Sequence, residues 1–369
     1  LARAEMLSSL MKNKRGVAIA GTHGKTTTTS LVASIMSDAN LDPTFINGGI
    51  IKSINSNAQL GQGEYLIAEA DESDKSFLLL QPSISIITNI EPDHLINYDN
   101  DFGNLKEAFL GFIKNLPFNG VSIVCGDDKV VNEIKNQFQR NHISYGFDLS
   151  NDFVISDYKT DGLKSTFKIK WGSEVLELTL NMLGRHNVLN ASAAAILCMQ
   201  EGISTEIIRE SLENFMGIDR RMQILGEKQS KKFRSLYIDD YGHHPTEIKN
   251  TIKADRESYP DFRLKMIFQP HRFTRTNDLY KEFVEVLKEV DELTLLDIYS
   301  AGENEIEGIS SSNIKKSLEE QGYLSAELLS DKELVIKKLH EDTDSNDVFI
   351  FQGAGDISSI SQYVAKNFF

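Results

Sequence analysis

The sequence predicts two consecutive α/β units, the first a mostly parallel sheet carrying a small antiparallel insert. Three observations predict it. Short apolar runs alternate with helical patterns from residue 16 onward, the alternation switches to period two between about residues 152 and 180, and the apolar-run-then-helix order restarts after Phe215. Strands covered on both faces read as continuous apolar runs, whereas a half-exposed strand alternates. The 369 residues suit two domains, possibly three, and the restart of the alternation after Phe215 places the units at residues 1–216 and 217–369.

The chain opens on Leu1 rather than Met, with a short amphipathic segment leading into a strand, which reads as a cut end. GVAIA (16–20) is the first strand, and a glycine turn follows it into a helix over TTTTSLVASIMSDAN. YLIAEAD (65–71), SISIITNI (83–90) and GVSIVC (120–125) are further buried strands, with a helix over residues 101–115. STFKIKW and EVLELTLNM, with a turn at TDG, form the antiparallel insert. Two helices close the unit: alanine-rich HNVLNASAAAILCMQEG, and STEIIRESLENF with its Ser/Thr cap and early glutamate. In the second unit, strands SLYIDD, RLKMIFQ, ELTLLDIY, AELLS and DVFIFQGAG are separated by helices starting at Pro245, Thr274, Ser311 and Asp331, with a last helix at the end.

At 40% hydrophobic and 25% charged the composition is globular, which excludes collagen-like, disordered and disulfide-scaffold classes. A formal charge of −15 argues against coating nucleic acid or an anionic membrane, since both require Lys and Arg on phosphates. Cys125 and Cys198 stand far apart in no metal-type spacing, so they read as small buried hydrophobes in a reducing, cytosolic compartment. No signal-peptide core and no run of about 18 apolar residues is present.

The chemistry concentrates at strand ends. Gly21, Thr22, His23, Gly24, Lys25, Thr26 and Thr27 follow a strand and open a helix. Backbone N–H groups there face an anion, a lysine reaches β/γ phosphates, and a hydroxyl can ligate Mg²⁺. The usual earlier glycine is replaced by Ile19, so the match is carried by GKT and its context. Glu69, Asp71, Glu72 and Asp74 lie at the end of the second run, where one carboxylate is expected to complete a Mg²⁺ shell; a solvated acidic turn is the plain reading for some of the four. Thr88-Asn89-Ile90-Glu91-Pro92-Asp93-His94 ends the third run, and His94 is either a ligand there or a helix cap.

These three loops resemble the central domain of the Mur ligase family, the cytoplasmic amide ligases of peptidoglycan synthesis. The resemblance continues through GRHNVLN (184–190), Arg220-Arg221, DDYGHHP (239–245) and FQPHRFTRT (268–276). It implies a central P-loop ATPase domain followed by a Rossmann-like α/β C-terminal domain. EADESD, DDYGHHPTE and FQPHRFTRT match the branch that joins L-alanine to UDP-N-acetylmuramate through an acyl phosphate.

The family roles, carried residue by residue, are these. Residues 21–27 hold ATP, with Lys25 on the β/γ phosphates. Thr26 and Glu69 bind a first Mg²⁺ and His94 a second. Asn187 and Asn190, one helical turn apart, contact adenine, although helix capping is the plain alternative. Arg221 reaches the ATP phosphates and Asp240 the ribose; alone, either could be a surface ion pair. Tyr241, His243, His271, Arg272 and Arg275 face the amino acid and the reacting end of the substrate, and His244 is a candidate base for the amine, unless it or His243 only caps the following helix. Some relatives carry a carbamylated lysine after the histidine loop; Lys106 is the nearby lysine here, but a solvated helix face is the simpler reading and it is not assigned that role.

The resemblance also implies small-molecule partners only, a bacterial cytoplasmic location and a monomer or weak homodimer. Relatives begin with a further UDP-binding Rossmann-like domain of about one hundred residues. No glycine fingerprint of that kind precedes Val17. The expectation is therefore a chain without that domain, acting weakly on the UDP-sugar. Rival readings are a recycling ligase that adds a whole tripeptide to the same nucleotide sugar, a folylpolyglutamate-type ligase, and a noncatalytic nucleotide-binding module.

Overall fold

The computed structural model describes residues 3–161, 163–230, 233–341 and 345–369. Leu1, and Gly162 of the TDG turn, lie outside the described residues. The chain divides into two compact units, Leu1–Asp219 and Arg220–Phe369.

The first unit contains α1 (Arg3–Met11), β1 (Arg15–Ala20), α2 (Lys25–Asp38), β2 (Thr44–Ile51), β3 (Ser56–Gln59), β4 (Tyr65–Glu69), β5 (Ile84–Ile87), α3 (Phe102–Lys114), β6 (Val121–Cys125), α4 (Lys129–Ile134), β7 (Asn141–Gly146), β8 (Phe153–Asp161), β9 (Lys164–Trp171), β10 (Glu174–Leu180), α5 (Arg185–Gln200) and α6 (Thr205–Glu213). Its strands form one sheet in the order β10-β9-β8-β7-β6-β5-β1-β4-β2-β3. β1 pairs in parallel with both β4 and β5, so the sheet is wound outward in opposite directions from β1. Such a switch point opens a crevice at the carboxyl ends of the central strands.

Alternation along β1 explains the layering. Val17 and Ile19 join the core formed with α2, α5 and α6, whereas Ala18 and Ala20 join the core formed with α1, α3 and α4. Both cysteines are buried, as hydrophobes would be. α6 starts on Ser204, whose side chain accepts from Ile207 N–H, and α3 starts on Asp101, which accepts from Gly103 N–H.

The period-two segment is a continuation of the main sheet rather than a separate insert. β8 pairs in parallel with β7 on one side and antiparallel with β9 on the other. Its alternation reflects half-exposure at the sheet's end. β2, β3, β7 and α4 go beyond the sequence expectation: the glycine pair 48–49 interrupts β2's apolar run, and β7 is only six residues long.

The second unit contains β11 (Gln223–Gln229), β12 (Arg234–Asp240), α7 (Pro245–Ser258), β13 (Arg263–Phe268), α8 (Phe273–Asp278), α9 (Tyr280–Leu287), β14 (Glu292–Leu295), α10 (Ser311–Glu320), β15 (Ala326–Leu328), α11 (Lys332–Glu341), β16 (Asp347–Gln352) and α12 (Ser358–Asn367). Its sheet order is β11-β12-β16-β13-β14-β15, parallel except for the β11 edge. β11 escaped the sequence reading because it is a partly exposed edge strand. The expected strand over 292–299 stops at Leu295, and the chain from Leu296 turns into the loop that carries Tyr299.

Candidate active site

The loop over residues 21–27 leaves the carboxyl end of β1 and enters α2. Gly24, at φ 85°, is the N-cap of α2; it takes a left-handed conformation that L side chains rarely adopt, and a Cβ there would lie 2.5 Å from Asn190 Oδ1. Gly21 is equally constrained, since a Cβ would come 2.1 Å from Thr88 Oγ1. The β5 loop clamps this turn. Thr22 N–H donates to the Asn89 carbonyl at 3.1 Å, His23 N–H to Asn89 Oδ1 at 2.8 Å, and Glu91 N–H to Thr22 Oγ1 at 2.9 Å. Thr88 Oγ1 donates to the His23 carbonyl at 2.6 Å. Thr22 and His23 are thus fixed by backbone and side-chain bonds from residues 88–91, which sequence spacing alone could not foresee.

Lys25 folds back over the loop. Its ammonium donates to the Gly21 carbonyl at 2.6 Å, to Glu72 Oε2 at 2.7 Å and Oε1 at 3.0 Å, and more distantly to the Thr22 carbonyl at 3.3 Å. Burial opposes the charge on Lys25, but Glu72, Asp71 and Glu69 outweigh it and hold the ammonium above its ordinary pKa. Glu72, only 2% exposed, is therefore a lysine partner and not part of a solvated turn.

Thr26 and Glu69 come together around Gly48 of β2. A Cβ at Gly48 would lie 2.9 Å from Glu69 Oε1 and 3.1 Å from Thr26 Oγ1, and Gly48 N–H donates to Glu69 Oε1. A hydroxyl from the first turn of α2 and a carboxylate from the end of β4 form the hard-oxygen pair that Mg²⁺ takes when phosphates supply the rest. Gly48 escaped the sequence reading; the signal available was a glycine pair inside a strand, a mark of close backbone approach. His94 sits at φ 54° beyond β5, with Nε2 3.3 Å from Asp93 Oδ2. Asn97 and Tyr98, a few residues on, bond the carbonyls of Ser73 and Glu72, so the histidine loop is tied to the acidic turn. Lys106 pairs with Glu133 at 2.9 Å, in keeping with a solvated helix face.

Asn187 and Asn190 are buried at the start of α5. Asn187 Nδ2 donates to the Leu183 carbonyl at 2.7 Å, a bond back to the residue before the helix and not a cap of its N–H groups, and Asn190 Oδ1 packs against Gly24. The pair therefore borders the phosphate loop, with Asn187 held by its own helix start.

In the second unit the expected residues gather at the carboxyl ends of β12 and β13. Asp240 is 6% exposed and heavily engaged: Gly242 N–H, Gln352 Nε2 and Thr251 Oγ1 converge on Oδ1, and Met222 N–H reaches Oδ2. A ribose hydroxyl would have to meet it at Oδ2. Arg221 lies 3.6 Å from Glu247 and over the Tyr241 ring at 5.2 Å. Arg272 is the N-cap of α8 at φ 71°, 3.8 Å from Glu303.

The two adjacent histidines differ in tautomer. His243 Nδ1 lies 3.1 Å from the Tyr241 carbonyl, which can only accept, so Nδ1 carries the hydrogen and Nε2 keeps its lone pair. His244 is the N-cap of α7: its Nδ1 accepts from Thr246 N–H at 3.3 Å, and Glu247 completes a capping box. Its Nε2 therefore carries the hydrogen. His244 thus takes the helix-capping alternative in this geometry, and of the two rings it is His243 whose Nε2 keeps a lone pair. Burial pushes the His243 imidazole down to about 4, with Arg275 and His271 adding to it. Burial and the Arg275 and Arg272 charges likewise lower His271 to about 4; its ring stacks on Tyr299 at 5.5 Å. At neutral pH both rings are uncharged, leaving Arg272 and Arg275 as the cations.

Two family models divide the chain as the fold does. The Mur ligase middle domain matches residues 19–198, and the Mur ligase glutamate ligase domain matches residues 220–355. The chain belongs to the Mur ligase family. The first match takes in the phosphate loop, the acidic turn, His94 and both asparagines; the second takes in Arg221, Asp240 and the histidine–arginine loops. Mur ligases are ATP-dependent ligases of peptidoglycan synthesis. Among solved structures, the UDP-N-acetylmuramate-alanine ligase MurC of Thermotoga maritima is 28% identical at a TM-score of 0.82, covering 99% of this chain and 78% of that one. The murein peptide ligase of Psychrobacter arcticus 273-4 is 23% identical at 0.70, covering 98% and 79%. The MurF ligase of Thermotoga maritima, in complex with ADP, is 18% identical at 0.75, covering 99% and 84%. Among the described residues no helix is long and apolar enough to cross a membrane.

Proposed function

We propose that this Mur ligase joins the lactyl carboxylate of UDP-N-acetylmuramate to the amino group of L-alanine, driven by ATP. The observation that carries the substrate assignment is the 28% identity over 99% of the chain to an alanine-adding ligase. The motifs EADESD and DDYGHHPTE point the same way. Tripeptide addition is the second reading, because a murein peptide ligase is also similar at 23%.

A carboxylate is a poor electrophile at neutral pH, so its oxygen attacks the γ-phosphorus and the bond to ADP breaks, leaving an acyl phosphate. Lys25 neutralises β/γ charge in that step, and the backbone N–H groups of Gly24, Lys25 and Thr26 at the start of α2 cradle the phosphates. Thr26 and Glu69 fit Mg²⁺, with His94 as a candidate for a second ion. When bound, the metal would offset phosphate charge. Alanine's amine then attacks the acyl carbon to give a tetrahedral intermediate, whose C–O bond to the bridging oxygen breaks, and inorganic phosphate leaves with that electron pair. His243 Nε2 accepts the amine's proton, and Arg272, Arg275, His271 and Tyr241 hold the amino acid and the reacting end of the sugar. Asn187, Asn190, Arg221 and Asp240 are assigned to the nucleotide.

Phosphate release measured with UDP-N-acetylmuramate and each of L-alanine, L-glutamate and the L-alanyl-γ-D-glutamyl-diaminopimelate tripeptide tests the assignment. L-Alanine should give the highest kcat/KM. A higher value with the tripeptide would transfer the assignment to the recycling reaction.

A further inference from the structure

The buried Glu72–Lys25 pair has a consequence for nucleotide affinity. An ammonium has three hydrogens, and those of Lys25 are directed to the Gly21 carbonyl, the Glu72 carboxylate and the Thr22 carbonyl. The Glu72 side chain cannot drift away, because its own carbonyl accepts from the buried Tyr98 hydroxyl and from Lys75 N–H at 3.2 Å. Glu72 differs in position and in contacts from Glu69, which turns to Gly48 and Thr26.

We propose that Glu72 is a resident competitor of the nucleotide's terminal phosphates: it occupies Lys25 in the free enzyme and sets how loosely ADP and ATP are held. The inference rests on Lys25 being the phosphate-binding lysine. Two arrangements could follow phosphate arrival. Lys25 exchanges Glu72 for phosphate, leaving a buried carboxylate without its cation, or it releases the weaker Thr22 carbonyl and keeps Glu72 beside the incoming anion. In both, the carboxylate disfavours the bound state. In the free state it is the counterion that makes a buried ammonium tolerable, and removing one partner of such a pair is costly. Both effects therefore have the same sign for affinity. A weakened hold on ADP suits a ligase that must shed product each turn.

The test is titration calorimetry of ADP, the unhydrolysed ATP analogue AMP-PNP and AMP against the unaltered chain, Glu72→Gln and Glu72→Asp. Gln keeps an acceptor for Lys25 but removes the charge. It should bind ADP and AMP-PNP at least about tenfold tighter. AMP, lacking the phosphates that reach Lys25, should change less than about twofold. Glu72→Asp withdraws the carboxylate by one methylene and should tighten ADP in the same direction but less, which keeps the test open if the Gln variant does not fold. Unchanged or weaker ADP binding in whichever variants fold overturns the inference. A Lys25→Ala chain that binds ADP as well as the unaltered one would remove the lysine assignment itself, and this inference with it; loss of ADP binding on Lys25→Ala alongside no tightening in the Glu72 variants sinks the competitor role alone.

Discussion

Replacing Gly48 by alanine inserts one methyl group between the two oxygens assigned to Mg²⁺. The new carbon would stand 2.9 Å from Glu69 Oε1, 3.2 Å from Glu69 Oε2 and 3.1 Å from Thr26 Oγ1. Carbon–oxygen contacts settle at about 3.3 Å or more. Glu69 must therefore retreat by roughly 0.4 Å and Thr26 by roughly 0.2 Å, in directions that widen the gap. The carboxylate is the free end of a flexible side chain, so folding should suffer little, and losing a strand glycine favours the folded state by up to about 1 kcal/mol. Activity is more sensitive: about 1 Å of misplacement costs on the order of a hundredfold, so a shift of about half that size should cost ten- to thirtyfold in ATP-dependent turnover. The assay is phosphate release across a Mg²⁺ titration, with a thermal melt of the same preparation. The expected result is an unchanged or higher melting temperature, reduced turnover, and half-saturation at higher Mg²⁺. Full turnover at the original Mg²⁺ requirement would refute the assignment of Thr26 and Glu69 as one metal site.

Gly24→Ala should lose both stability, by about 1 to 3 kcal/mol, and nucleotide binding. The reason is that φ 85° and the Asn190 contact act together; retained ADP affinity would mean the loop is not the phosphate cradle. His244→Ala should lower stability by about 1 kcal/mol through loss of the α7 cap, and His244→Asn, which keeps a capping acceptor, should recover it and most of the activity. His243→Asn should by contrast lower the single-turnover rate of amide formation while leaving acyl-phosphate formation intact; equal loss in both steps would reject the base role. His243 and His271 are held to about 4 in the fold against an ordinary 6.5. The unfolded chain therefore takes up protons between those values that the fold refuses, and their contribution is fully present above pH 6.5 and lost as pH falls towards 4. A denaturant titration series from pH 7 to pH 5 should show this slope, and the His243→Asn/His271→Asn double variant should flatten it.

The candidate phosphate loop was legible in the sequence because its signature is local. Strand, GKT and helix are contiguous, and the left-handed turn at Gly24 needs the glycine that stands there. Its supports were harder to read, because they come from elsewhere in the chain. Thr88, Asn89 and Glu91 bond the loop from 65 to 69 positions away, and Gly48 reaches Glu69 across a strand pairing that a glycine-interrupted apolar run concealed. The same limit applied to the sheet. Period two over residues 152–180 announced antiparallel strands correctly, but not that β8 joins β7, since alternation reports exposure and not the partner. At His243 and His244 the sequence showed a helix start at Pro245 without showing which imidazole turns inward to cap it. That depends on backbone angles, and it decides which nitrogen keeps a lone pair.

The charge balance acquires a mechanism in the first unit. A chain of −15 that binds a polyphosphate seems contradictory only if cations are counted globally. Around Lys25 the acidic groups Glu72, Asp71 and Glu69 together raise its pKa, so the loop is electrostatically closer to neutral or anionic than its lysine suggests. A bare polyphosphate meets repulsion there, and one that arrives with its charge already reduced does not. Under the proposed assignments, discrimination would be built from the protein's own carboxylates: Glu69 would favour a nucleotide carrying a divalent cation, and Glu72 would disfavour any terminal phosphate that lingers. On this argument ADP affinity should fall more steeply on Mg²⁺ removal in the unaltered chain than in Glu72→Gln, because the variant has lost one of the charges that make the cation necessary.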